Sequence, residues 1–116
     1  MKQLITDAQY VNAYRSAGLW FVGMYMEAFL LRFDELEDKD KKTKLIDEIY
    51  DHGRNADENL RGTKTRVNAL HRIIKAGREM EALETVINSN KVDKEAVSIA
   101  KDLLSRINSG DFIYKV

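Results

Sequence analysis

The side chains of this chain that could do chemistry are few. They are two histidines, His52 and His71, and a group of Lys and Arg around the second histidine. The 116-residue sequence has no cysteine, which excludes thiolate nucleophiles, disulfides and cysteine metal sites. Ile49 and Asn68 stand three positions before the two histidines, so no Glu-x-x-His pair of the di-iron type is present. The sequence therefore predicts a protein that is not an enzyme, with no catalytic residue, metal site or cofactor.

One pair of residues resembles a catalytic signature. Arg66 followed by His71 is similar to the Arg-x4-6-His signature of the HEPN ribonucleases, small helical domains that dimerise to cleave RNA. The resemblance implies acid–base work for His71 and a phosphate contact for Arg66. It covers six residues, and Val67 replaces the polar residue usual in the family. A helix would place Arg66 and His71 about 140° apart. An HEPN-like ribonuclease is therefore a minor alternative.

The cations around His71 form a pattern of their own. Residues 60–78 contain six Lys or Arg and no acid, in a chain whose net charge is zero. On a helix, polar residues spaced alternately by three and four positions share one face about 100° wide. Six residues follow this spacing and a seventh flanks them, so the predicted partner-binding residues are Arg61, Lys64, Asn68, His71, Arg72, Lys75 and Arg78. We call these seven residues the basic strip.

Clustered cations suit a phosphate backbone, through counterion release, or an acidic protein surface. Beyond Gly77 the charge reverses to Glu79, Glu81 and Glu84, an order that the dipole of one long helix would not favour. We therefore predict an adaptor, inhibitor or regulator that uses the basic strip. Its partner would be nucleic acid or an acidic surface of a protein that handles nucleic acid.

The same pattern has a simpler interpretation. The strip could be the solvated side of a core helix that pairs with the acidic segment 34–40, since charged helix faces are usually solvated. A helix-turn-helix with its turn at 76–78 is disfavoured, because the second helix would present three glutamates to the phosphates.

The elements that position the strip begin with a long first helix. Thr6 and Gln9 have the spacing of a capping box, and two apolar series run from there to Phe33, which indicates two packing partners. The segment 17–31 contains Glu27 and is shorter than the roughly 20 apolar residues of a membrane span, so we predict no membrane association. Surplus apolar surface on this helix could instead join copies, so a structural homo-oligomer is the alternative function.

Three more helices and a tail complete the predicted fold. Their predicted bounds are about Asp40 to His52 before Gly53, Asn55 to about Asn88 with Thr63 as an alternative start, and Asp93 to Gly110. The tail 111–116 is expected to fold back onto the helices. Residues 1–116 are thus predicted to be one all-α domain, an irregular four-helix bundle with two long helices and a short non-helical tail. Without a secretory signal or cysteine, the predicted localisation is cytoplasmic.

Overall fold

In a computed structural model of the chain, the described residues are 4–52 and 59–116. They form α1 (Asp7–Ala17), α2 (Leu19–Leu31), α3 (Phe33–Leu36), α4 (Lys39–Tyr50), α5 (Leu60–Lys75), α6 (Glu79–Asn88) and α7 (Lys94–Ser109). The all-α prediction is confirmed. The predicted number of helices differs from the observed one, because both long helices of the predicted bundle are divided and a short helix lies in the acidic segment.

The predicted first helix divides at Gly18. This glycine has φ +85°, a conformation that a residue with a Cβ rarely adopts, so the helix cannot continue through it. The predicted capping box is confirmed at the start of α1, where the Thr6 hydroxyl accepts from the Gln9 amide at 3.1 Å and the Gln9 side chain accepts from the Thr6 amide at 2.9 Å. The division lets α1 pack mainly on α5, while α2 packs on α6 and α7.

The predicted third helix divides at Gly77, which has φ +74°. The amide of Gly77 donates to the Ile74 carbonyl at 2.9 Å and that of Arg78 donates to the Ile73 carbonyl at 3.1 Å, the bonds of a Schellman motif. α5 begins at Leu60, where the Asn59 side chain accepts from the Gly62 amide at 2.7 Å. The predicted cap at Asn55 lies outside the described residues, and the alternative start at Thr63 is three residues late.

α2 is the core helix. Phe21, Met26 and Phe29 are almost fully buried, and the helix contacts α1, α3, α5, α6 and α7. Gly23 is buried where α2 meets α7. A Cβ added to Gly23 would lie 2.9 Å from the backbone oxygen of Ala96, so this contact requires a glycine. Most of the apolar surface of α2 is therefore covered within the chain, whereas Leu31 is 59% exposed.

The remaining predicted elements are close to the observed ones. α4 starts one residue before its predicted start, with the Asp38 side chain accepting from the amides of Asp40 and Lys41. Its predicted stop at Gly53 lies outside the described residues. α7 ends at Gly110, as predicted.

The C-terminal tail folds back, which confirms the prediction. The Tyr114 hydroxyl donates to Glu79 Oε2 at 2.8 Å, and the ring of Phe112 lies under the guanidinium of Arg106. Ile113, between these two residues, remains exposed. Among residues 4–52 and 59–116, no helix combines the length and the apolar character needed to cross a membrane.

Candidate functional site

α5 carries six of the seven residues of the basic strip and lies between α1 and α4. Its apolar side is buried through Val67, Leu70 and Ile74, which fixes the opposite side toward solvent and the two neighbouring helices. The strip is therefore divided among three environments: the flank against α4, the flank against α1, and the exposed edge between them.

The α4 flank holds a hydrogen-bonded cluster around His71. The His71 ring is 6% exposed, contrary to its predicted position on a solvated strip. Its Nε2 lies 2.9 Å from Glu37 Oε2 and its Nδ1 lies 2.9 Å from Lys42 Nζ. The ring of Phe33 packs edge-on against it. His71 is therefore a buried residue of the helix packing, because α4 and the segment before it cover the ring.

The electrostatics of this cluster favour a neutral imidazole. Burial lowers the pKa of His71, the Lys42 and Lys75 charges lower it further, and Glu37 acts in the opposite direction. With the ring neutral, the Lys42 ammonium donates to Nδ1 while the Nε2 hydrogen is donated to Glu37. The pKa of Lys42 is itself lowered, by burial and then by the Lys75 charge. Two ammonium groups and one carboxylate thus converge on one buried ring.

The α1 flank holds an open groove of about 290 Å³. Its lining residues are Asn12, Ala13 and Ser16 from α1 and Thr65, Asn68, Ala69 and Arg72 from α5. The two alanines are buried and form the floor, whereas the five polar side chains form the walls and are exposed. We call this feature the α1–α5 groove. It contains Asn68 and Arg72 of the basic strip.

The edge of α5 between the two flanks exposes Arg61 and Lys64, as predicted, and leaves Lys75 half-buried. Arg78 departs from the prediction, because α5 ends at Lys75 and Arg78 belongs to the turn before α6. Its guanidinium bonds Asp7 and Glu81 and lies over the ring of Tyr10.

Five of the described arginines contrast in their ion pairs. Three of them each bind two carboxylates, namely Arg32 with Glu35 and Glu48, Arg78 with Asp7 and Glu81, and Arg106 with Glu27 and Asp102. Arg61 and Arg72 make no ion pair with any described residue, and the same holds for Lys64 and Lys75. The acidic segment pairs with the strip at one point, Glu37 with His71, so the solvated-face interpretation accounts for part of the strip.

Sequence reasoning missed Lys42 on one flank and the α1 residues Asn12 and Ser16 on the other, whereas Glu37 lies in the acidic segment that the solvated-face interpretation pairs with the strip. Periodicity shows which side of each helix is polar, but it does not show that α5 packs between α1 and α4. Thr65, the remaining wall residue, lies one position beyond Lys64 and outside the strip's spacing. No local signal identifies these partners.

The structure gives no geometric support to the HEPN-like pair. Both ring nitrogens of His71 contact Glu37 and Lys42, and the ring is covered. Arg66 lies about 140° around the helix from His71, as five residues of helix require. Within residues 4–52 and 59–116, no group of three or more His, Cys, Asp or Glu is arranged to hold a metal ion.

The fold and this site together define a small all-α protein with a cationic helix edge. No protein family, curated protein or solved structure matches the chain. Its function is therefore argued from its own residues.

Proposed function

We propose that this is a non-enzymatic interaction protein whose α5 edge binds nucleic acid or an acidic surface of a nucleic-acid-handling protein. The observation that supports it is that Arg61, Lys64 and Arg72 are exposed and reach no carboxylate among the described residues. Three other arginines of the same chain each bind two carboxylates. Among residues 4–52 and 59–116, no carboxylate neutralises these α5 cations, which supports their availability to a partner.

A cation without an intramolecular partner retains its field toward solvent, and several on one edge raise the local potential even when the net charge is zero. Lys75 and Lys42 add charge at the neighbouring flank. A polyanion bound along this edge would release counterions, so its affinity would fall steeply with salt.

The two alternative functions receive no comparable support. The homo-oligomer was suggested by apolar surface on the first helix, and other helices of the same chain cover most of that surface on α2, with Leu31 the exposed exception among its leucines and phenylalanines. The HEPN-like ribonuclease needs His71 to reach a substrate, and its ring is 6% exposed. The interaction protein therefore remains the proposal.

The test is binding of the purified protein to single- and double-stranded RNA and DNA and to polyglutamate, across a salt series. Arg61→Glu with Lys64→Glu should abolish binding, whereas Lys94→Glu with Lys101→Glu, the same charge change on exposed positions of α7, should preserve it. Circular dichroism checks that both variants fold. Wild-type protein that binds none of these polyanions at low salt would overturn the proposal.

A further inference from the structure

The α1–α5 groove presents a more specific set of hydrogen-bonding groups than the cations beside it. Its walls present two amides, Asn12 and Asn68, two hydroxyls, Ser16 and Thr65, and the guanidinium of Arg72, and no carboxylate lines it. The Thr65 hydroxyl donates to the Arg61 carbonyl at 3.0 Å, while its lone pairs remain able to accept. The groove thus combines donors and acceptors with a single positive charge.

This combination discriminates between classes of anion. A carboxylate of an acidic protein, or a phosphate alone, needs only donors, so the acceptor oxygens of Asn12 and Asn68 would have no partner in it. A side-chain amide forms paired hydrogen bonds with the edge of a nucleobase, and a guanidinium forms paired hydrogen bonds with phosphate. A nucleotide supplies both groups close together. The groove volume of about 290 Å³ is at the lower end of small-ligand pockets, about 300–1,000 Å³.

We propose that the α1–α5 groove binds one nucleotide unit of a single-stranded nucleic acid, with Arg72 on the phosphate and Asn12 and Asn68 on the base edge. This inference rests on the proposed function and names the partner class. A single strand is required because a base can enter a cleft between two helices only when it is splayed out of a duplex. No aromatic residue lines the groove, so the base would be held by its edge.

The edge of α5 continues the site. Arg72 lies eleven positions after Arg61 on α5, which corresponds to about 16 Å along the axis. A strand with one nucleotide in the groove would therefore reach the cations Arg61 and Lys64 with the phosphates that follow. The groove would supply base preference, and the edge would supply the salt-dependent affinity.

The first arm of the test measures fluorescence anisotropy with labelled 12-nucleotide homopolymers of RNA and DNA. Arg72→Lys keeps the charge but loses the paired geometry, so binding should weaken about tenfold with an unchanged salt dependence. Arg61→Lys is the matched control, because the same change outside the groove should alter affinity less than about twofold.

The second arm measures base preference. Asn68→Ala should reduce the ratio of affinities between the tightest and weakest homopolymers by about tenfold, since one paired amide contact discriminates by that order. Asn108→Ala, an exposed asparagine on α7, is the matched control and should leave the ratio unchanged.

The outcomes separate this inference from the proposed function. Oligonucleotide binding that is unchanged by both Arg72→Lys and Asn68→Ala overturns the inference that the groove binds a nucleotide, and it leaves the proposed function standing. Binding of polyglutamate without any oligonucleotide has the same consequence. Binding of neither class of polyanion overturns both proposals.

Discussion

The two flanks of α5 carry similar polar side chains, but these side chains have different surroundings. On the α4 flank, half-buried Lys42 and exposed Glu37 both bond the buried ring of His71. On the α1 flank, Asn68 and Arg72 surround an open groove and make no ion pair with any described residue. The difference teaches that position around a helix does not decide whether a polar residue is structural. What decides it is whether side chains of the neighbouring segment cover the residue, as those of Phe33, Glu37 and Lys42 cover His71.

The largest effect that would test this comparison is on stability. His71→Ala removes a buried ring and both of its hydrogen bonds, so it should lower the free energy of unfolding by about 2 kcal/mol. Asn68→Ala, on the exposed flank of the same helix, should change it by less than about 0.5 kcal/mol. Urea unfolding measures both, and equal losses would contradict the distinction between the flanks.

The next effect is a pH dependence confined to the α4 flank. The pKa of His71 is lowered in the folded chain, so below pH 6.5 the unfolded chain takes up the proton first and stability falls as the pH falls. Above pH 6.5 the contribution of neutral His71 to the free energy of unfolding is fully present. The slope approaches at most about 1.4 kcal/mol per pH unit.

Denaturant unfolding between pH 7 and pH 5 checks this expectation. Arg32 binds the carboxylates of Glu35 and Glu48 and lowers the pKa of both. These two carboxyls therefore titrate below this pH window. His71→Gln should remove the slope, and a slope that survives the substitution would assign it to another group.

A smaller effect concerns the charges that face His71. Lys42→Met removes the ammonium beside Nδ1, so the pKa of His71 should rise toward its ordinary value, although burial and the Lys75 charge still lower it. Arg72→Met, on the other flank, should leave that pKa unchanged. The ring protons of His71, assigned by their loss in His71→Gln, report it by NMR. The same rise in both variants would show that the two flanks are electrostatically joined.

The smallest expected effect is that of removing one of the two amides and the positive charge from the α1–α5 groove. Asn68→Ala with Arg72→Met should leave the free energy of unfolding within about 0.5 kcal/mol of wild type, because neither side chain makes an ion pair with a described residue. A thermal melt is sufficient to measure it. A loss above about 1 kcal/mol would mean that these side chains carry structural contacts.

Much of the fold could be predicted because its signals are local. The capping box at Thr6, the start of α7 after Asp93 and its end at Gly110 each depend on a few neighbouring residues. The breaks at Gly18 and Gly77 were missed because a glycine does not by itself show that a helix ends. Gly62, for example, lies inside α5. Glycine permits a break, but packing determines whether one occurs.

One signal for the break at Gly77 was present in the charges. An order of cations then acids is unfavourable along one helix. The same order of charges is favourable for two consecutive helices. Arg72 and Lys75 then lie at the C-terminal end of α5, and Glu79 and Glu81 lie at the N-terminal end of α6.

The candidate site was only half predictable for a different reason. The helical spacing gave the α5 side of both flanks, and Arg61, Lys64, Asn68 and Arg72 are exposed as expected. The residues opposite them depend on which helices pack together, a long-range property that no single helix encodes. His71 therefore moved from the predicted surface into the interior.

The close contact at Gly23 limits how sequences of this fold can diverge. The atom that a side chain at this position would strike is the backbone oxygen of Ala96, which every amino acid possesses. No exchange on α7 can relieve that clash, so substitution at Gly23 cannot be compensated by a second change across the contact. A glycine in the middle of an otherwise apolar helix, facing Ala96 on α7, is consequently a signature by which distant relatives of this chain could be recognised.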